Sequence, residues 1–137
     1  MRIIMIVALI SVGSLLGDVI PNKVKIQNQN VVKMAAEGLS QELPKKVDAF
    51  TQLISIKAKE ETLFYTFEIN ASQSDDAIIK KDKSRMQKAV TNGICQFSKR
   101  FLKSGINISY IYTSAKSRKK LFQFDVDKTK CDYPPEI

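Results

Sequence analysis

The sequence predicts an α+β fold: an αββ-αββ pseudo-repeat with one four-stranded antiparallel sheet and two helices packed on one face. Two observations carry this. Val32, Ala35, Ala36, Leu39 and Leu43 recur at helical spacing, as do Met86, Val90, Gly93, Ile94, Phe97 and Phe101. After each of these stretches come two short runs rich in β-branched and aromatic residues that alternate with a period of two. Two αββ units most economically share one sheet whose apolar face both helices cover. At 137 residues there is room for one such domain.

The elements follow in order. Residues 18–29 are polar and read as a linker or a loosely started helix. The first helix takes its cap from Asn28 or Asn30 and stops at Pro44. Leu53 to Ala58 and Leu63 to Ile69 are strands, separated by Lys59-Glu60-Glu61-Thr62, with Ile54, Ile56 and Ala58 on one face and Leu63, Tyr65, Phe67 and Ile69 likewise. A polar loop from Asn70 to Asp76 leads to the second helix, which Gly105 ends as a C-cap. Ile106 to Tyr112 and Leu121 to Asp127 are the last two strands, joined by a hairpin loop from Ser114 to Lys120. The domain thus spans 30–131, and 132–137 is a tail. On the far sheet face Leu53, Phe64 and Ile111 interrupt polar positions, which points to a partner or a tail covering them.

Met1-Arg2 precedes an apolar run from Ile3 to Ile10, followed by Ser, Gly and Leu up to Gly17. One cation, a short apolar core and small residues beyond it make residues 1–17 a secretory signal peptide. The alternative is an uncleaved signal anchor, although the run is shorter than the roughly 20 residues of a spanning helix. Either way the domain is expected in the periplasm or secreted, held at the inner membrane if the N-terminus is uncleaved. Export places Cys95 and Cys131 in an oxidising compartment and favours a disulfide between them, the alternative being two buried thiols.

The absence of His removes Ser-His-Asp triads, Cys-His pairs and imidazole metal sites. The acids Glu60-Glu61, Asp75-Asp76, Asp125 and Asp127 fall in loops or at strand ends, where carboxylates are commonly solvated. They form neither a glycosidase pair nor a calcium loop. No catalytic residue, metal or cofactor is therefore expected. The sequons Asn70-Ala-Ser72 and Asn107-Ile-Ser109 matter only in a eukaryotic secretory pathway. With 22 Lys+Arg against 14 Asp+Glu the net charge is +8, concentrated in Lys80 to Lys88, Lys99 to Lys103 and Lys116 to Lys120. An exported domain rarely meets nucleic acid, so this charge suits an acidic partner or an anionic membrane surface.

Glu42-Leu43-Pro44 at the end of the first helix, the Leu53-x-x-Ile56-x-Ala58 strand, Cys95 in the second helix, Gly105-Ile-Asn-Ile-Ser-Tyr-Ile-Tyr112, and Leu121-Phe-Gln-Phe-Asp-Val126 closing on Cys131 form a pattern. It resembles the α/β type of type II secretion pilotins, the AspS-like family, over residues 30 to 131. The resemblance implies a disulfide from the helix to the end of the last strand, no catalysis, and binding of a short helical tail of an outer-membrane secretin. Those pilotins are lipoproteins, whereas no lipobox Cys precedes this domain. The expected function is a non-enzymatic exported module binding a helical or extended segment of an envelope partner, a secretin tail or another secretion-machine component. The alternative is a small periplasmic inhibitor or immunity protein. Expected partner contacts are Phe64, Ile111, Tyr110, Tyr112 and Leu53.

Overall fold

The computed structural model describes residues 22–71 and 76–135; the signal segment 1–17, part of the loop after Asn70 and the end of the tail lie outside the described residues. A helix, α1, occupies 22–40, so the stretch from 22 to 29 is helical and continuous with the predicted helix. Then come β1 (Lys45–Lys46), β2 (Thr51–Lys59), β3 (Thr62–Ile69), α2 (Asp76–Lys81), α3 (Lys83–Phe97), α4 (Lys99–Lys103), β4 (Asn107–Ser114), β5 (Lys120–Val126) and a 3-10 turn over Lys128–Lys130.

The sheet has five strands in the order β1-β2-β3-β4-β5, one more than expected, because Lys45 and Lys46 pair with Leu53 and Gln52. It is also mixed rather than antiparallel: β3 and β4 run parallel from Thr62 opposite Asn107 to Ile69 opposite Ser114. The cause is topological. A hairpin turns the chain around, but the crossover α2–α4 carries it back to the end of the sheet where β3 began. The two hairpins β2-β3 and β4-β5 remain antiparallel, as the alternation predicts. The upper end of the sheet holds the start of β2, the ends of β3 and β4 and the β4-β5 hairpin. The lower end holds the β2-β3 turn, the start of β4 and the end of β5.

A β-bulge between Leu53 and Ser55 changes which residues share a face. Leu53 pairs with Phe67 and turns to the helix-covered face with Ile56 and Ala58, while Ile54 is exposed; both corrections come from the one extra residue. The second helix divides at Ser98 into α3 and α4. Phe97, expected on the apolar stripe, consequently stands at the break and is 87% exposed. Leu102, outside the predicted stripe, is buried instead. Gly105 does terminate α4, at φ 91°, a left-handed geometry that glycine adopts without strain.

All helices lie on one sheet face. Val32 and Ala36 of α1, Ile94 of α3 and Leu102 of α4 share a core with Ile56, Leu63, Ile108 and Val126. A second core joins Phe67, Tyr112, Phe122 and Phe124 with Ile79 and Met86. Asn28 is no cap but a buried residue inside α1, whose amide donates to Glu61 Oε2 and to the Ser104 carbonyl, both at 2.9 Å. It ties α1 to the β2-β3 turn and to the end of α4. Asn28→Ala should lower stability by about 1–3 kcal/mol, since two part-buried hydrogen bonds, one of them to a carboxylate, are lost. The gain in helix propensity, about 0.5 kcal/mol, offsets only part of this. Urea unfolding with an unchanged slope and a lower midpoint is the expected reading; an unmoved midpoint would refute the role.

Candidate partner-binding site

The five residues expected to contact a partner fall on two faces. Phe64 and Ile111 are half-buried on the sheet face that no helix covers. There the cross-strand rows run Lys57-Phe64-Ser109-Asp125 and Ser55-Thr66-Ile111-Gln123. The polar members bind one another: Ser109 Oγ donates to Asp125 Oδ1 at 2.6 Å, and Gln123 Nε2 donates to both at 3.0 Å. The Ser109 hydroxyl holds the Asp125 carboxyl below the usual carboxylate range. A hollow of about 330 Å³ between Phe64, Asn107, Asp125 and Lys130 marks this face.

Tyr110, Tyr112 and Leu53 lie on the covered face. Tyr112 is buried, stacked on Phe67 at 4.8 Å and tilted against Phe122 at 5.2 Å. Tyr110 is half-buried, 5.1 Å from the ring of Tyr65. Burial, with the neighbouring Tyr110 second, pushes the Tyr65 phenol up to about 12, and burial raises those of Tyr110 and Tyr112 as well. All three stay neutral at physiological pH and serve as rings in the core. No one partner surface contains all five residues.

The covered side carries a feature that the strand pattern did not reveal. At the upper end a cleft of about 740 Å³ opens between the segment before β2 and the helices α2 and α3. Phe50, Ile69, Ala71, Ile78, Ile79 and Met86 line it, with Asp48, Lys81, Asp82 and Arg85 as its charged members. Local bonds build its wall: Asp48 Oδ1 accepts from the Phe50 amide at 2.8 Å, and the Asn70 amide donates to the Phe50 carbonyl at 2.7 Å. Asp82 forms an ion pair with Arg85 one turn along α3, which lowers the Asp82 carboxyl. Phe50 and Ile78 are exposed, so two large apolar side chains meet water at the mouth. The signal was present in sequence as apolar residues inside polar stretches, Phe50 before β2 and Ile78-Ile79 among Asp76, Lys80 and Lys81.

The chemistry such an apolar, concave surface can offer is burial of an apolar ligand or of the apolar side of a polypeptide segment. Among the described residues no group of three or more His, Cys, Asp or Glu is placed to hold a metal. No helix among them is long and apolar enough to cross a membrane.

Over residues 27–122 the chain matches DUF8479, a domain of unknown function, and it belongs to that family. Its fold is that of three solved structures. One is a Pseudomonas aeruginosa protein described as secreted, at 13% identity and TM-score 0.71, covering 80% of this chain and 96% of that one. The second is EpsS, the pilotin of the Vibrio vulnificus type 2 secretion system, at 12% identity and TM-score 0.70, covering 82% and 99%. The third is AspS, the type II secretion pilotin of Vibrio cholerae, at 15% identity and TM-score 0.61, covering 80% and 97%. The pilotin fold expected from the sequence is thereby found. No curated protein sequence matches the chain. Cys95 and Cys131 are bonded, with Cα atoms 5.5 Å apart, as expected for this architecture.

Proposed function

We propose that the chain is a non-enzymatic, exported binding module of pilotin type, which receives an amphipathic helical segment of a secretion-machine component in the bacterial envelope. The observation that carries this is the apolar cleft of about 740 Å³ on a fold shared with two pilotins. A helix is about 10 Å across and presents apolar side chains at i, i+3 or i+4 and i+7. Phe50 and Ile78 flank the entry, Ile69 and Met86 are the floor, and Lys81 is placed to meet an acidic residue on the segment's flank. The disulfide suits the oxidising space outside the cytoplasm.

The uncovered sheet face supports a second reading, in which Phe64 and Ile111 contact an extended or helical partner directly. The two are separated by paired variants. Phe50→Asp with Ile78→Asp, and Phe64→Asp with Ile111→Asp, are compared for capture of a named secretion component from envelope extracts, after far-UV CD melts confirm folding. The cleft pair is expected to lose at least about tenfold in affinity, as for truncated anchors in a desolvated pocket, and the sheet pair to retain it. A folded cleft pair that binds like the parent protein would overturn the assignment.

A further inference from the structure

At the lower end of the domain, remote from the cleft, cations and exposed apolar side chains coincide. Lys23, Val24, Lys25 and Ile26 form the first described turns of α1 and are all exposed. Asn28, one turn on, is bonded to the Ser104 carbonyl, which seats these turns beside the end of α4. Alpha4 contributes Lys99, Arg100 and Lys103, all exposed. Lys99 and Lys103 stand over the Tyr133 ring at 5.6 and 5.7 Å, and Tyr133 Oη donates to the Cys95 carbonyl at 2.6 Å, so this part of the surface is braced. Phe97, at the break between α3 and α4, is 87% exposed.

On the two helical segments the charge is one-sided, while Glu60, Glu61, Asp127 and Asp132 stand at the same end on the β2-β3 turn, after β5 and in the tail. Neither 22–28 nor 97–107 contains an Asp or Glu, while together they hold five cations, Lys23, Lys25, Lys99, Arg100 and Lys103. The upper hairpin carries a second cationic cluster, Lys116, Arg118, Lys119 and Lys120, without an exposed large apolar side chain within it. Phe97 with Val24 and Ile26 leaves apolar area in water beside the cations, which transfer into an apolar phase would relieve. A bilayer interface accommodates both: apolar tips enter the acyl boundary while Lys and Arg meet lipid phosphates. The apolar run ending at Leu16 also lies only six residues before Asn22, so a bilayer holding that run would meet this end of the domain first.

We infer that this end, centred on Phe97 with Val24, Ile26, Lys99, Arg100 and Lys103, docks on the surface of an anionic lipid bilayer. The inference does not rest on the cleft. Docked this way, the domain turns its cleft away from the membrane, because the cleft is at the opposite end of the sheet.

The test uses the full chain and two kinds of vesicle, phosphatidylcholine alone and phosphatidylcholine with about 30% phosphatidylglycerol. The apolar N-terminus contributes to both, so the difference reports the patch. Binding to the anionic vesicles should be at least about tenfold tighter at low salt, given the attraction expected for several cations near such a surface. Lys99→Glu/Arg100→Glu/Lys103→Glu should abolish the difference. Lys116→Glu/Arg118→Glu/Lys119→Glu, the same change of net charge on the upper hairpin, should keep most of it. In a second measurement the emission of Phe97→Trp should shift to the blue with anionic vesicles only, and that of Phe50→Trp should not. Equal binding to both vesicles, equal loss in the two triple variants, an unshifted Phe97→Trp spectrum, or capture by polyglutamate as tight as by the anionic vesicles would each overturn the docking.

Discussion

Leu63→Ala is expected to lower the stability of the domain by about 3–5 kcal/mol, enough to unfold much of a small protein at physiological temperature. Leu63 is 0% exposed and belongs to the core that joins Val32 of α1, Ile56 of β2, Ile94 of α3, Leu102 of α4, Ile108 of β4 and Val126 of β5. Truncation removes the transfer energy of the lost carbons and leaves a cavity. Its walls come from six different elements, and the sheet ladders at Leu63 hold it in register with Ala58 and Ile108. No single side chain can slide in, so the cost belongs at the upper part of the range for such changes. Leu63→Ile, which keeps the volume, should cost less than about 1.5 kcal/mol. Urea unfolding of the two variants gives the comparison, and an alanine variant within about 1 kcal/mol of the parent would show the site to be compliant.

Leu63 was legible in the sequence because its environment is local and periodic. The alternation of Leu63, Tyr65, Phe67 and Ile69, and of Phe122, Phe124 and Val126, assigns each residue to a face without knowledge of neighbours. Leu53-Ile54-Ser55-Ile56 was not legible in the same way. Two adjacent apolar residues leave the period ambiguous, and the bulge that resolves it depends on pairing with Phe67 and Thr66 on another strand. The same limit applies to the parallel pairing of β3 with β4. The local pattern of a strand describes its own faces, whereas its direction relative to a neighbour is decided by the crossover between them. In the sequence Asn28 and Asn30 are equally good caps, because polar residues favour helix starts. The two partners of Asn28, Glu61 and Ser104, are 33 and 76 residues away.

The site was harder to read for the same reason. The cleft joins residues 50, 69, 71, 78, 79 and 86, drawn from a connecting segment, a strand end and two helices, and no periodicity links them. Apolar residues in polar connecting stretches were the available sign. Phe64 and Ile111 are legible as apolar residues of the open sheet face because they break a polar alternation. Tyr110 and Tyr112 share the alternation of the covered face with Ile108, and that period is what puts them beside the core. A ring on a covered face and a ring on an open face look alike in composition but differ in parity along the strand.

Removing the Cys95–Cys131 bridge is expected to cost about 3–4 kcal/mol. The bridge spans 36 residues and encloses α4, β4 and β5, so reduction frees a whole hairpin unit in the unfolded chain. The loss acts mainly by enlarging the unfolded ensemble, and the unfolding slope in urea should therefore rise while the midpoint falls. Other contacts brace the same region: Tyr133 Oη donates to the Cys95 carbonyl, and Asp127 Oδ1 accepts from the Thr129 amide at the 3-10 turn over Lys128–Lys130. Cys95→Ser/Cys131→Ser should consequently fold at low temperature and keep the native far-UV spectrum. Tyr133→Phe, which removes one hydrogen bond in the oxidised protein, should cost about 1 kcal/mol and leave the slope unchanged. The bridge sits at the lower end of α3 and the cleft at the upper end, so the double serine variant should also retain segment binding below its unfolding midpoint. An oxidised and a reduced protein with coincident urea midpoints would rule out the bridge as a source of stability. A serine variant that stays folded but loses its partner would place the binding surface at the lower end of the domain, against the cleft.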